Sequence, residues 1–187
     1  GSGRLGKSIL NTDLIKSIRI LSPDSTSLNL LDKNTIDEYF ENFKPDVVIN
    51  SAAYTDVNMA EEERELAALV NTEGPKYLAS KVEKSNSFLV QISTDYVFGN
   101  NKKGPFSNLE ETNSVNYYGQ TKLEAEKCIA KETNNFLIIR TASLISEYEG
   151  NFANLITSKL LNGDELSIIK NQSISITYAG YLAQGIE

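Results

Sequence analysis

Tyr118 and Lys122 lie four residues apart in the stretch Val115-Asn116-Tyr117-Tyr118-Gly119-Gln120-Thr121-Lys122. On a helix that spacing places both side chains on one face, one turn apart. A tyrosine hydroxyl can donate a proton, and an ammonium group beside it makes loss of that proton easier. The two form an acid/base unit that works near neutral pH without histidine, and this chain contains no histidine. A plain surface helix can also carry Tyr and Lys, so the weight falls on the elements that position them.

Strands and helices alternate along the chain. Gly1-Ser2-Gly3-Arg4-Leu5-Gly6 spells G-x-G-x-x-G, a turn whose backbone N–H groups can approach a pyrophosphate at a helix N-terminus. Read without a strand before it, the same segment is a flexible glycine-rich end. Helical spacing follows through Leu5, Ile9, Leu10 and Leu14. Ile18–Leu21 reads as a strand ending at Ser22-Pro23-Asp24, and Leu28–Leu31 as a second short strand. Asp32 or Asn34 can cap the helix carrying Ile36, Tyr39, Phe40 and Phe43. Val47–Ala53 is a buried type of strand with a small, polar C-terminal end, which suits a cofactor or a plain core strand with a tight exit. Asn58–Glu65 reads as an acidic, solvated helix face. A longer helix spans Leu66–Lys84, and Pro75 inside it removes an N–H. The Asn71 carbonyl thereby loses its usual partner, leaving either a kink or a site for an ordered water.

Phe88–Ser93 is the next strand and delivers Ser93, Thr94, Asp95 and Tyr96 at its C-terminal end. Hydroxyls there suit a polarised carbonyl oxygen, or local turn bonding. A polar loop over Gly99–Asn113 precedes the Tyr118/Lys122 helix, which runs to Lys131. Phe136–Thr141 is a further buried strand. A helix over Asn151–Leu161, a strand over Glu165–Lys170 and a helix over Ala179–Ile186 complete the series. Alternation of this kind implies parallel β-α-β units in a doubly wound α/β sheet of Rossmann-like type, with residues 1–187 as a single domain.

The length of 187 residues suffices for a sizeable core. The net charge of -7 argues against nonspecific nucleic-acid or membrane-surface binding, although local N–H groups can still hold an anion. Cys128 is the only cysteine, which excludes an intrachain disulfide framework and fits a reducing, cytoplasmic setting. No apolar run approaches the ~20 residues of a membrane span. Nothing in the chain marks a metal site.

Taken together, Pro45–Asn50 with Ala52–Thr55, Asn71 with Gly74, Ser93–Phe98, Asn116–Leu123, Arg140-Thr141 and Thr177-Tyr178-Ala179 resemble the extended short-chain dehydrogenase/reductase superfamily. Within it the chain is most similar to the dTDP-4-dehydrorhamnose reductase family. The resemblance covers nearly the whole chain in the right order. It implies a chain without that family's first strand and without its C-terminal substrate-binding region.

The resemblance also implies NADPH or NADH as cofactor and a nucleotide-sugar substrate, with a homodimer as a compatible assembly. Asp24 follows a proline and Arg19 lies inside an expected strand, so the 2′-phosphate preference stays open. In this reading Gly3, Arg4, Leu5 and Gly6 lie at the pyrophosphate. Ala52, Ala53, Tyr54, Asn71 and Ser93 line the rest of the cofactor, and Thr94, Asp95 and Tyr96 meet the sugar. Tyr118 protonates the developing alkoxide, Thr94 bonds the keto oxygen, and Lys122 lowers the Tyr118 pKa and holds the nicotinamide ribose. Asn71 extends a proton path through its backbone and a water. Asn58 stands where the family has aspartate, Ala142-Ser143 where it has an aromatic, and Ile174–Thr177 where it has Gly-x-Pro-Thr. Two other readings are a sugar-nucleotide epimerase or dehydratase of the superfamily and a cofactor-binding regulatory subunit resembling that of methionine adenosyltransferase.

Overall fold

The computed structural model describes residues 1–13, 17–99, 104–148, 150–168 and 174–187. In chain order its elements are α1 (Arg4–Leu10), α2 (Lys33–Phe43), β1 (Val47–Asn50), α3 (Met59–Glu62) and α4 (Arg64–Ala68). A π-helical turn (Leu69–Glu73), α5 (Gly74–Ser85), β2 (Phe88–Thr94), a 3-10 turn (Asp95–Val97) and α6 (Tyr117–Glu132) follow. The last elements are β3 (Phe136–Thr141), β4 (Ser143–Ile145), α7 (Phe152–Asn162), β5 (Ile176–Tyr178) and α8 (Ala179–Ile186). The residues form two compact units, Pro23–Arg140 and Gly1–Ser22 with Thr141–Glu187. No helix among the described residues is long and apolar enough to cross a membrane.

Unit Pro23–Arg140 is built on a three-stranded sheet of order β1-β2-β3. β1 and β2 run parallel, with Val47 opposite Phe88 and Asn50 opposite Gln91. A parallel pair needs a long crossover, and α3, α4, the π turn and α5 supply it. The expected α/β class with a parallel, Rossmann-like sheet is therefore present. Leu89 and Val90, adjacent in β2, are both buried, as in a strand covered on its two faces. Ile36 and Phe40 of α2, Leu78, Ala79 and Val82 of α5, Leu89 of β2 and Ile129 of α6 make one core. Spacings of three and four within the helices put these side chains on single faces. Asp32, rather than Asn34, caps α2, accepting from Asn34 N at 2.9 Å.

Sequence and structure differ at several points. Leu28–Leu31 forms turns instead of a strand. Asp24 Oδ1 accepts from the backbone and hydroxyls of Thr26 and Ser27, and Asn29 Oδ1 from Leu31 N, so side chains just before and within this stretch bond locally. Ile18–Leu21 is not a strand either, and Ile18 is exposed. The helix expected over Leu66–Lys84 is divided by the π turn, and Pro75 sits in the first turn of α5, where its missing N–H costs least.

In the unit Gly1–Ser22 with Thr141–Glu187, β4 and β5 pair in parallel, Ser143 opposite Ile176 and Ile145 opposite Tyr178. Neither strand was expected. Three residues are too few for a periodic signal, and the pair is clamped from a side chain, Thr177 Oγ1 accepting from Ala142 N at 3.1 Å. Residues 165–168 of the expected Glu165–Lys170 strand are irregular, and the remaining two fall outside the described residues. α1 packs against α8, with Leu5 and Ile9 buried on one and Ala179 and Ala183 on the other. Gly3 is the N-cap of α1 and has open space beside it, while a Cβ on Gly6 would lie 2.5 Å from the Gly1 carbonyl oxygen.

Candidate active site

The site in unit Pro23–Arg140 begins at the C-terminal ends of β1 and β2. Asn50 is buried and donates to Gln91 Oε1 at 2.8 Å, while Gln91 Nε2 donates to the Ile92 carbonyl at 2.9 Å. The β1–β2 ladder stops at Asn50–Gln91, and the next carbonyl, Ile92, accepts from side chains. One is Gln91. The other is Lys122, whose Nζ donates at 2.7 Å.

β2 then passes into the 3-10 turn, capped by Thr94 Oγ1, which accepts from Tyr96 N at 3.2 Å. This turn holds Asp95 and Tyr96 beside the first turn of α6. Asn116 caps α6 by accepting from Gly119 N at 2.8 Å. Gly119 is required by contact: a Cβ there would run into Ser114 Oγ and the Tyr96 carbonyl. The close approach brings the Tyr96 and Tyr118 rings edge to face, centroids 5.7 Å apart. It also sets Thr94 near enough for its side chain to act on the Tyr118 hydroxyl.

Lys122 follows Tyr118 by one turn and is only 3% exposed. Burial away from water disfavours its ammonium and brings its pKa down to about 8, with the Glu126 carboxylate opposing the shift. Burial also raises the Tyr118 pKa; Thr94 opposes this, and Asp95 and Tyr96 add to it. The direction is opposite to the expected lowering by Lys122. Desolvation of the phenolate outweighs other influences, and the ammonium is engaged by the Ile92 carbonyl. The Asp95 carboxyl is raised as well, burial outweighing bonds from Thr94 and backbone N–H groups.

Asn71 is fully buried in the π turn, and its side chain does more than the sequence indicated. Oδ1 accepts from Tyr54 N at 2.8 Å, and Nδ2 donates to Tyr54 O at 3.0 Å and Thr121 Oγ1 at 3.1 Å. Thr121 Oγ1 in turn donates to Tyr118 O at 2.7 Å, and Thr72 Oγ1 to Thr121 O at 2.8 Å. The wide turn thereby ties the segment after β1 to α6. Ala52 N donates to Asn50 Oδ1 at 3.2 Å, while Ala53 is half-buried beside it.

Of the expected residues, the structure gathers Ser93, Thr94, Asp95, Tyr96, Tyr118 and Lys122 at the β2 end, with Asn71 and Tyr54 bonded to them through Thr121. Gly3, Arg4, Leu5 and Gly6 belong to the other unit, where Arg4 donates to the Gly150 carbonyl. From sequence, three polar residues received no role at this site. Glu61 was taken as part of a solvated face, yet its Oε1 accepts from Tyr117 N at 2.7 Å at the start of α6. Nothing local marks it, because its partner is 56 residues away. Arg64 places its guanidinium 4.7 Å from the Tyr117 ring centroid. Glu126 was within reach of sequence reasoning: it follows Lys122 by four, on the face that buries Ala125 and Ile129. A cavity of about 510 Å³ lined by Phe152, Leu155, Ile156, Lys159 and residues 165–168 contains none of these side chains.

The model of the RmlD substrate binding domain family matches residues 1–187. A dTDP-4-dehydrorhamnose reductase from Aggregatibacter actinomycetemcomitans is 33% identical over 183 residues, covering 97% of this chain and 62% of that protein. A dTDP-4-dehydrorhamnose reductase crystal structure from Clostridium acetobutylicum superposes with a TM-score of 0.93 at 34% identity, covering 99% of this chain and 66% of that one. One from Bacillus anthracis, in complex with NADP, gives 0.94 at 29% identity, covering 98% and 66%. The chain thus spans somewhat under two thirds of the length of these relatives. With the family model matched from end to end, the chain belongs to the RmlD substrate binding domain family.

Proposed function

We propose that this chain carries the acid/base centre of an NAD(P)H-dependent reductase acting on a 4-keto deoxysugar nucleotide, in the manner of dTDP-4-dehydro-L-rhamnose reduction to dTDP-L-rhamnose. The observation that carries the reading is the packing of the β2 exit, Thr94 to Tyr96, on the first turn of α6, with the Tyr96 and Tyr118 rings edge to face and a buried Lys122 one helical turn further on, bonded to the Ile92 carbonyl. Similarity to named dTDP-4-dehydrorhamnose reductases, one of them in complex with NADP, supports it.

When bound, NADPH or NADH supplies a hydride to the keto carbon. Negative charge then develops on the former carbonyl oxygen. Thr94 bonds that oxygen, and Tyr118 delivers its proton there. A raised Tyr118 pKa keeps the phenol protonated at neutral pH, so the donor is in its working form before reaction. The phenolate left behind is buried, and the Lys122 ammonium on the same helix face offsets its charge. Asp95 and Tyr96 are the proposed sugar contacts.

The residues present fit a dinucleotide. Gly6 packs against the Gly1 carbonyl as only a glycine can, and Gly3 leaves open space at the start of α1. Gly3, Arg4, Leu5 and Gly6 are assigned to the pyrophosphate; Ala52, Ala53, Tyr54, Asn71, Ser93, Tyr118 and Lys122 to the remainder. We take residues 1–187 as part of one NAD(P)-binding domain.

Replacement of Tyr118 by Phe in the full-length protein tests the assignment. Turnover should fall by a factor of about 10² or more, because the proton donor is gone. NADPH affinity, read by fluorescence titration, should stay within about threefold. Undiminished turnover removes Tyr118 from the role.

A further inference from the structure

The buried carboxylate of Glu126 has no task in the reductase reading, yet it is only 6% exposed. Its Oε1 accepts from Ser93 Oγ at 2.5 Å and from Arg140 Nε at 3.0 Å, and its Oε2 accepts from Arg140 Nη2 at 2.6 Å. Arg140 itself, from the end of β3, lies 5.0 Å from the Phe98 ring centroid, and Nη1 donates to Asn108 O at 3.3 Å. Phe98 stacks on Phe106 with centroids 4.7 Å apart. One ion pair therefore joins α6, the residue next to Thr94, and the loop that follows the 3-10 turn.

Stability is a weak reason for such a pair. Well-packed apolar side chains in place of a buried ion pair are often neutral or stabilising. Position supplies a better one. Glu126 is one turn beyond Lys122, as Lys122 is one turn beyond Tyr118, so three ionisable groups share one stripe of α6. Among the described residues the hydrogen-bond partner of Lys122 is the Ile92 carbonyl, not a carboxylate.

We propose that Glu126 is a positioning residue which, neutralised on one side by Arg140, keeps the Lys122 ammonium charged and holds Ser93-Thr94 against α6. This rests on the reductase reading of Thr94, Tyr118 and Lys122. Other charged or titratable groups reach α6 from each neighbouring element. The 3-10 turn presents Asp95 and Tyr96 to Tyr118; α3 and α4 present Glu61 and Arg64 to the first turn. α5 presents Lys76 to Cys128 and Glu83 to Thr133 at the far end, and the π turn presents Glu73 to Cys128 as well as Asn71 and Thr72, which do not titrate. Glu126 is the carboxylate whose field reaches Lys122 and favours its charged form.

The test is the pH dependence of kcat and kcat/KM in the full-length protein for Glu126→Gln and Arg140→Gln. Glu126→Gln removes the negative charge and leaves Arg140 positive, so the alkaline limb should move down by about one pH unit. Arg140→Gln removes the positive partner and leaves the carboxylate uncompensated, so the limb should move up by a similar amount. In Glu126→Gln kcat should fall at least about tenfold, with substrate KM within about threefold. A merely structural pair would lower melting temperature in both variants without opposite shifts. Limbs that superimpose on the wild type, or that move in one direction in both variants, overturn the proposal. If Glu126→Gln does not fold, an unshifted Arg140→Gln overturns it alone. Wild-type protein that binds NADPH but shows no turnover with a 4-keto sugar nucleotide would instead sink the reductase reading.

Discussion

Lys122 is a buried base whose charge bears on the stability of the fold. Its pKa falls from 10.5 to about 8, a change of roughly 2.5 units, or about 3 kcal/mol at about 1.4 kcal/mol per unit. The sign is that of a depressed base. Below about pH 8 the ammonium is charged in both folded and unfolded chains, and the folded state bears the full burial penalty. Between about 8 and 10.5 the unfolded chain holds the extra proton, so stability rises with pH across that window. Lys122→Met removes the charge but also a hydrogen bond worth about 1 kcal/mol. Denaturant unfolding should show it more stable than wild type by about 2 kcal/mol at pH 7, with the gain gone by about pH 10.5. A gain that does not shrink with pH would place its cause elsewhere. The Tyr118/Lys122 pair was legible because four-residue spacing is a local property. The direction of the Tyr118 shift was not, since it depends on how deeply the helix is buried, which no spacing reports.

At the scale of elements, close contact between α6 and the β2 exit decides the geometry. Gly119 sets that contact, and Gly119→Ala measures it. Alanine gains about 1 kcal/mol in helix propensity. Its Cβ meets a backbone carbonyl that cannot rotate away, and overpacking of this kind costs about 1–3 kcal/mol. A net loss of stability is expected in a thermal melt, together with a fall in kcat as Tyr118 moves off Thr94. A variant as stable and active as wild type would show that the approach is not needed. From α2 to β3 the order of elements was legible from alternating apolar runs, and Pro75 marked that the helix expected over Leu66–Lys84 is interrupted. The π turn was not, because a proline indicates interruption without specifying its form, and Asn71 gains its meaning only from Tyr54 and Thr121. Leu28–Leu31 misled because apolar content outweighed Asp24, whose carboxylate gathers the preceding backbone into a turn.

For the whole molecule, the family was legible because its motifs follow one another in the right order along nearly the whole chain, and the family model matches residues 1–187. The short strands β4 and β5 were not, each having three residues and a partner more than thirty positions away. The central claim concerns net chemistry: a reductase consumes its cofactor, an epimerase or dehydratase recycles it, and a regulatory subunit only binds it. The direct measurement is NADPH oxidation, followed at 340 nm in the full-length protein, against product formed from a dTDP-4-keto-6-deoxyhexose. One NADPH oxidised per sugar reduced is the predicted result. Sugar converted without net oxidation, or NADPH bound tightly with no conversion, would contradict it.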